Sequence, residues 1–227
     1  ASDWSSDVCS SDLTLGLSTD GGGTYVTIAA GQTSVNFTAT AVVDTVFEGP
    51  ETVVATITSA TTNSQSLTAT TSVATGTIYD DGSLIDPENP SGGNYESDIP
   101  TVAIAVTPSG VSEGDEGTGN DLVYTVSLSN PSAYDTKVYV ALSGDANTDD
   151  YTVDANLQSE TIGGVTRYYV TIPAGETSID FTVTTTPDTT FEGPETVIAT
   201  ISDATTNSQP LTATTSTATG TIYEIGR

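Results

Sequence analysis

The sequence predicts an all-β protein: short antiparallel strands packed as an immunoglobulin-like sandwich, present as tandem modules with the first one truncated. Three observations predict it. Apolar and polar residues alternate at a period of two, turn residues punctuate the chain at short intervals, and residues 25–79 recur at 169–223 with 41 of 55 positions identical. Alternation of that kind marks a pleated surface with one buried face, and a repeat this close points to duplicated modules. No segment holds the 3.6-residue period of a helix.

The strands follow in order through the second copy. Val102-Ile104-Val106 alternates first, then Val123-Tyr124-Val126-Leu128, Val138-Val140-Leu142, Tyr168-Val170-Ile172 and Ile179-Phe181-Val183. β-branched Val, Ile and Thr favour such positions because they pack on a half-buried pleat. Between them stand Ser109-Gly110, Asn130-Pro131, Ser143-Gly144-Asp145, Gly163-Gly164 and Pro173-Ala174-Gly175, each a turn signal. About seven short strands over residues 100–223 make a sandwich.

The first copy has no counterpart of residues 100–157, so residues 14–82 read as the C-terminal part of a module. Residues 83–99 hold ENPSGGNYESD and read as a linker, with Pro87 and Pro90 stiffening it and Gly92-Gly93 letting it bend. Residues 3–13, DWSSDVCSSDL, resemble a reading frame of a common sequencing adapter, and residues 224–227 resemble the opposite strand of one. Residues 1–13 and 224–227 are therefore set aside as read-through, and the chain is expected to be a piece of a longer reading frame. Without them 26 acids and two bases remain, Lys137 and Arg167, with no cysteine and no tryptophan.

That composition excludes several functions. With 30 acids against three bases and a formal charge of −27, the chain repels phosphate backbones and anionic membranes. No apolar run has the length of a membrane-spanning helix. Without histidine, imidazole catalysis is unavailable, and zinc and iron–sulfur sites lack their ligands. The sequence therefore argues against an enzyme. A two-carboxylate glycosidase is the one catalytic scheme left open, and it is set aside because the acids group otherwise.

The repeat sorts those acids. Glu176, Asp180 and Asp203 face Gln32, Asn36 and Ser59 in the first copy, so the module does without them. Asp188, Glu192 and Glu195 face Asp44, Glu48 and Glu51, although Pro187 and Thr190 beside them face Val43 and Val46. Gly193-Pro194 inside the D-x-x-x-E-x-x-E spacing excludes a helix, because proline disfavours the α conformation before it. The three acids then sit on a loop at one end of the sandwich. Two carboxylates ~4 Å apart repel by about 4 kcal/mol at an effective dielectric of 20. A hard divalent cation with oxygen ligands reverses the sign, and an irregular loop suits calcium better than magnesium.

Six strings in order carry a family resemblance: VSEGD at 111–115, YTVSLSNPS at 124–132, GDANTDDY at 144–151, IPAGETS at 172–178, DTTFEGPE at 188–195 and GTIY at 220–223. Together they resemble the Calx-β domain, over 100–223 and in truncated form over 14–82. The family includes calcium-sensing domains of sodium–calcium exchangers and repeats of large bacterial surface proteins. The resemblance implies calcium ligands at one end of the sandwich: Glu113, Asp150, Asp188, Glu192 and Glu195, with the carbonyl of Thr190. In the first copy it implies Asp44, Glu48 and Glu51, followed by the acidic pair Asp80 and Asp81 after the last strand. Pro187 departs from the pattern where calcium-sensing members often carry a second acid, which implies fewer or weaker ions. Asp149 reads as solvated.

Tyr124, Tyr139, Tyr168 and Phe181 read as packing groups. Lys137 reads as a charge guarding a strand edge, with an internal isopeptide crosslink as the alternative. The leading function is a calcium-rigidified spacer or adhesion repeat of a large extracellular bacterial protein, in contact with neighbouring repeats. Other expectations are a module that recognises a glycan or cell surface, and a calcium-sensing regulatory domain of a membrane transporter.

Overall fold

In this computed structural model the described residues are 13–20, 23–42, 44–79, 98–115 and 118–223. The terminal strings 1–12 and 224–227, the linker residues 83–97, and Val43, Asp80 and Asp81 lie outside them. The chain divides into two units, Ala1–Ser97 and Asp98–Arg227. Every regular element among the described residues is a strand.

The second unit is a two-sheet sandwich. One sheet runs in the order Tyr151–Val153, Ser178–Thr185, Asp121–Leu128, Val102–Thr107 and Ala213–Thr215. The other runs Gly110–Ser112, Thr217–Tyr223, Glu195–Thr206, Thr136–Gly144, Val165–Ile172 and Gln158–Ile162, with Gln209–Pro210 folded back on the long strand. The alternation places Leu122, Tyr124, Val126 and Leu128 on one inner face, with Val138, Val140, Val170, Ile172 and Val197 on the other, all buried. Tyr124 stacks on Phe181 with ring centroids 5.1 Å apart. Its hydroxyl donates to the Val197 carbonyl at 2.7 Å, tying the two sheets together. Burial pushes that phenol up to about 12. Full burial of side chains this size contributes roughly 1.5–3 kcal/mol each.

Three features depart from the expectations. Gly110–Ser112 pairs parallel with Thr217–Tyr223, and Ala213–Thr215 pairs parallel with Val102–Thr107, so the sandwich is not wholly antiparallel. The first strand changes sheets at Pro108, where the missing N–H interrupts the ladder. Lys137 lies in a central strand rather than at an edge, with its ammonium 2.7 Å from Glu160 and 3.8 Å from the centroid of the Tyr169 ring. Tyr168 is half-exposed, outside the core and opposite Val140 and Ser159 on its two neighbouring strands, while Tyr139 lies against Tyr169 on the outer face.

The first unit keeps the local pairings of the repeat. Glu51–Thr56 pairs with Val73–Ile78 in the register Glu51↔Ile78 and Val53↔Gly76. The second copy shows Glu195↔Ile222 and Val197↔Gly220, the same register 144 residues on. Ala60–Thr62 and Gln65–Leu67 close through Asn63 and Ser64, both at positive φ, as Asn207 and Ser208 are in the second copy. Asparagine tolerates that left-handed conformation in a tight hairpin turn. Residues 26–38, however, hold no strand, although 170–182 in the second copy lie largely in two.

Candidate metal centre

The acids gather where the second unit's chain leaves and enters its sheets. The loop 186–194 joins Ser178–Thr185 to Glu195–Thr206, so Glu192 sits on the loop and Glu195 opens the strand. Gly193 adopts a φ of 89°, a left-handed conformation that glycine accepts without strain, and Gly49 does the same at 73°. The turn brings Glu192 back toward Glu195. Asp150 arrives from the turn before Tyr151–Val153. One carboxylate oxygen each from Asp150, Glu192 and Glu195 lie within 4.8 Å of one another.

Backbone donors fix this arrangement. The Asn147 N–H donates to Asp150 Oδ2 at 2.5 Å, and the Asp150 carbonyl accepts the Thr186 N–H at 2.8 Å. Glu113 is joined to the same region: its Oε1 accepts the Asp188 N–H at 3.1 Å, and its carbonyl accepts the Thr185 hydroxyl. Asp188 in turn accepts the Thr190 N–H at 2.6 Å. Glu113 and Asp150 are each only 7% exposed, although carboxylates are rarely buried without a partner charge.

Electrostatics follow from the crowding. Desolvation, then the charges of Asp150, Asp188, Glu113 and Asp149, hold the Glu192 carboxyl above its ordinary value. Desolvation, then Asp150 and Glu192, do the same to Glu195. The described basic side chains, Lys137 and Arg167, pair with Glu160 and Asp203 instead. An all-oxygen donor set with converging negative charge fits calcium: Asp150, Glu192 and Glu195 would hold the ion, with Glu113 and Asp188 beside them. Bound there, calcium supplies positive charge that offsets their repulsion.

Of the expected ligands, Asp150, Glu192 and Glu195 form the tight group, while Glu113 and Asp188 are hydrogen-bonded to each other and their charges reach Glu192. Thr190 meets Asp188 through its N–H. Asp149 is exposed, as expected, yet its charge still reaches Glu192. In the first copy Asp44 accepts the Val46 N–H at 2.8 Å, repeating the Asp188 turn, and Glu48 and Glu51 flank Gly49-Pro50. Asp80 and Asp81 lie outside the described residues. Two positioning residues escaped the sequence reading. Asp145 accepts the Thr196 hydroxyl at 3.0 Å and its charge reaches Glu195, while Asn147 holds Asp150. Both stand in the string GDANTDDY, where Asp145 reads first as a turn residue.

Comparison with family models matches the Calx-beta domain at residues 22–82 and again at 165–225, together more than half of the chain. The chain belongs to the Calx-beta family. Calx-beta domains are calcium-binding and non-catalytic, and this chain carries the family's sequence in both copies. The two matches cover the repeated half of the module; the strings at 111–151 lie ahead of the second one. Solved structures similar to the chain include CBD12 from CALX1.2, at 14% identity and a TM-score of 0.37, covering 54% of this chain and 44% of that one. The apo-form Calx CBD1 domain is similar at 11% identity and a TM-score of 0.36, covering 56% of this chain and 99% of that one. The chain thus spans under half the length of the first of these. No curated protein matches.

Proposed function

We propose that the second copy binds calcium at the tip of its sandwich through Asp150, Glu192 and Glu195, and that the chain is a calcium-rigidified structural and adhesion repeat of a large extracellular bacterial protein. The observation that carries the reading is the convergence of those three carboxylates with Glu113 and Asp188, while the described cations are engaged elsewhere. Calcium would offset the repulsion and stabilise the folded state by mass action. The absence of histidine, the near-absence of cysteine, and tandem near-identical modules support an extracellular repeat in contact with its neighbours. Other parts of such a protein would carry any glycan or cell-surface ligand.

Thermal unfolding of the full chain in calcium and in chelator tests the metal. The transition of the second copy should move upward by several degrees in calcium. Glu192→Ala should abolish most of that increment, and Glu176→Ala should leave it intact. Equal midpoints with and without chelator would remove the metal from the account.

A further inference from the structure

The two copies share the stem of one hairpin but not its tip. Tyr25 pairs with Ser18, and Tyr169, its repeat equivalent, pairs with Gln158. The first copy then closes beyond Asp20↔Gly23, whereas the second continues through Glu160↔Arg167 to two further pairs, Thr161↔Thr166 and Ile162↔Val165. Residues inserted into one copy of a repeat commonly lie on a binding face. The lengthened tip carries apolar side chains that the module's own core does not use: Val165 is 63% exposed and Ile162 51%. Residues paired directly across strands, and residues two apart along one strand, point to the same side of a sheet. Ile162 and Val165 therefore share an outer face with Glu160 and Arg167, with Tyr169 and Tyr139, and with Asp203 one strand further on.

That face differs from the rest of the surface in charge. The chain carries −27, yet both described bases stand here, and Glu160 and Asp203 bring the patch to neutrality. Lys137 and Glu160 are held tightly at 2.7 Å, and the Tyr139 hydroxyl donates to the other Glu160 oxygen. Arg167 and Asp203 are not. The guanidinium stacks on the Tyr139 ring at 3.8 Å but reaches Asp203 only at 3.9 Å, too long for a hydrogen bond. Donors on Arg167 and acceptors on Asp203 thus remain for another molecule. The first copy has Gly23 and Ser59 at those two places.

We infer that this outer face is a self-association surface, and that its partner is a second molecule of the same chain bound across a two-fold axis. Such a contact needs a patch complementary to itself. Here an apolar tip meets an apolar tip, and Arg167 of each molecule meets Asp203 of the other. Two chains this acidic repel wherever acid faces acid, so the neutral face is where approach costs least. Tyrosine and arginine at its centre are the side chains that most often anchor interfaces. In a tandem protein the contact would tie repeats of neighbouring molecules side by side. It does not depend on the calcium reading.

Sedimentation velocity of the full chain in chelator tests it, at about 0.5 M salt, where repulsion is screened beyond a few ångströms. A reversible monomer–dimer equilibrium is expected, and a chain that stays monomeric up to about 1 mM overturns the inference. Val165→Asp, at an exposed position outside the core, should weaken the dimer by about tenfold or more because it brings a charge into the apolar contact. Val165→Ile should keep it. A dimer that survives Val165→Asp overturns the inference as well. Charge exchange then locates the contact. Arg167→Glu alone and Asp203→Arg alone should each weaken self-association by about tenfold or more. An equimolar mixture of those two variants should restore it, because both crossed pairs regain opposite signs. A mixture as weak as its components contradicts the two-fold pairing.

Discussion

Ile28 and Ile172 occupy the same place in the repeat, yet the first is 52% exposed and the second fully covered. Phe37 and Phe181 differ in the same way, at 40% and 0%. The hairpins around them agree: both copies pair their long strand in one register and turn through Asn-Ser at positive φ. Local sequence therefore determines the hairpins, and non-local strands determine the core. Thr136–Gly144 and Asp121–Leu128 supply the inner face against which the repeated half packs. Where such strands do not pair among the described residues, the same side chains are more exposed.

The largest expected effect breaks this comparison at the core. Phe181→Ala should destabilise the second copy by about 3–5 kcal/mol, and Phe37→Ala should change stability by less than about 0.5 kcal/mol. Denaturant unfolding read by amide exchange separates the copies; equal losses would contradict the assignment of one core to one copy.

The metal loop sharpens it next. Both copies carry the E-G-P-E turn, but among the described residues only the second sets a buried Asp beside it. In calcium, Glu195→Gln should cost the chain most of its calcium-dependent stabilisation, on the order of 1–3 kcal/mol. Glu51→Gln should cost little. A matching loss for both variants would mean that the loop alone binds.

Tyr124 provides a smaller handle with no counterpart in the first copy. Its phenol keeps its proton to about pH 12 in the folded protein, above the ordinary value of 10.0. Between those values the unfolded chain releases the proton first, so stability is full below 10 and falls as pH rises toward 12. Tyr124→Phe should flatten that slope while losing about 1–2 kcal/mol at neutral pH with the bond to Val197. An unchanged alkaline slope in the variant would assign the effect to another group.

Much of this was legible in the residues. Alternation fixes which side chains line the core, and it placed Val102, Ile104, Val126, Val138 and Val170 there. It did not show the irregularity at Tyr139 and Val140, which pair with Asp203 and Ile201 while Ser202 is skipped: the buried positions run 197, 199, 201 and then 204, 206, and small Ala204 and Thr206 mark the shifted phase only weakly. The parallel edges were hidden too, since Gly110–Ser112 and Ala213–Thr215 are too short to carry a period. In the site, the repeat marked Asp188, Glu192 and Glu195 by their retention. The burial of Glu113 and Asp150 was not legible, because it depends on the chain crossing from one sheet to the other. Lys137 was misplaced for the same reason: a strand's position in its sheet follows from pairing, which one strand's sequence does not state.

Calorimetric titration of calcium into the full chain, beside Asp150→Asn, tests the central claim most directly. Asparagine keeps the shape of that buried side chain and removes its charge. The account predicts saturable binding in the unaltered chain and loss of the second copy's site in the variant. Identical isotherms for the two, or no binding heat in either, would contradict it.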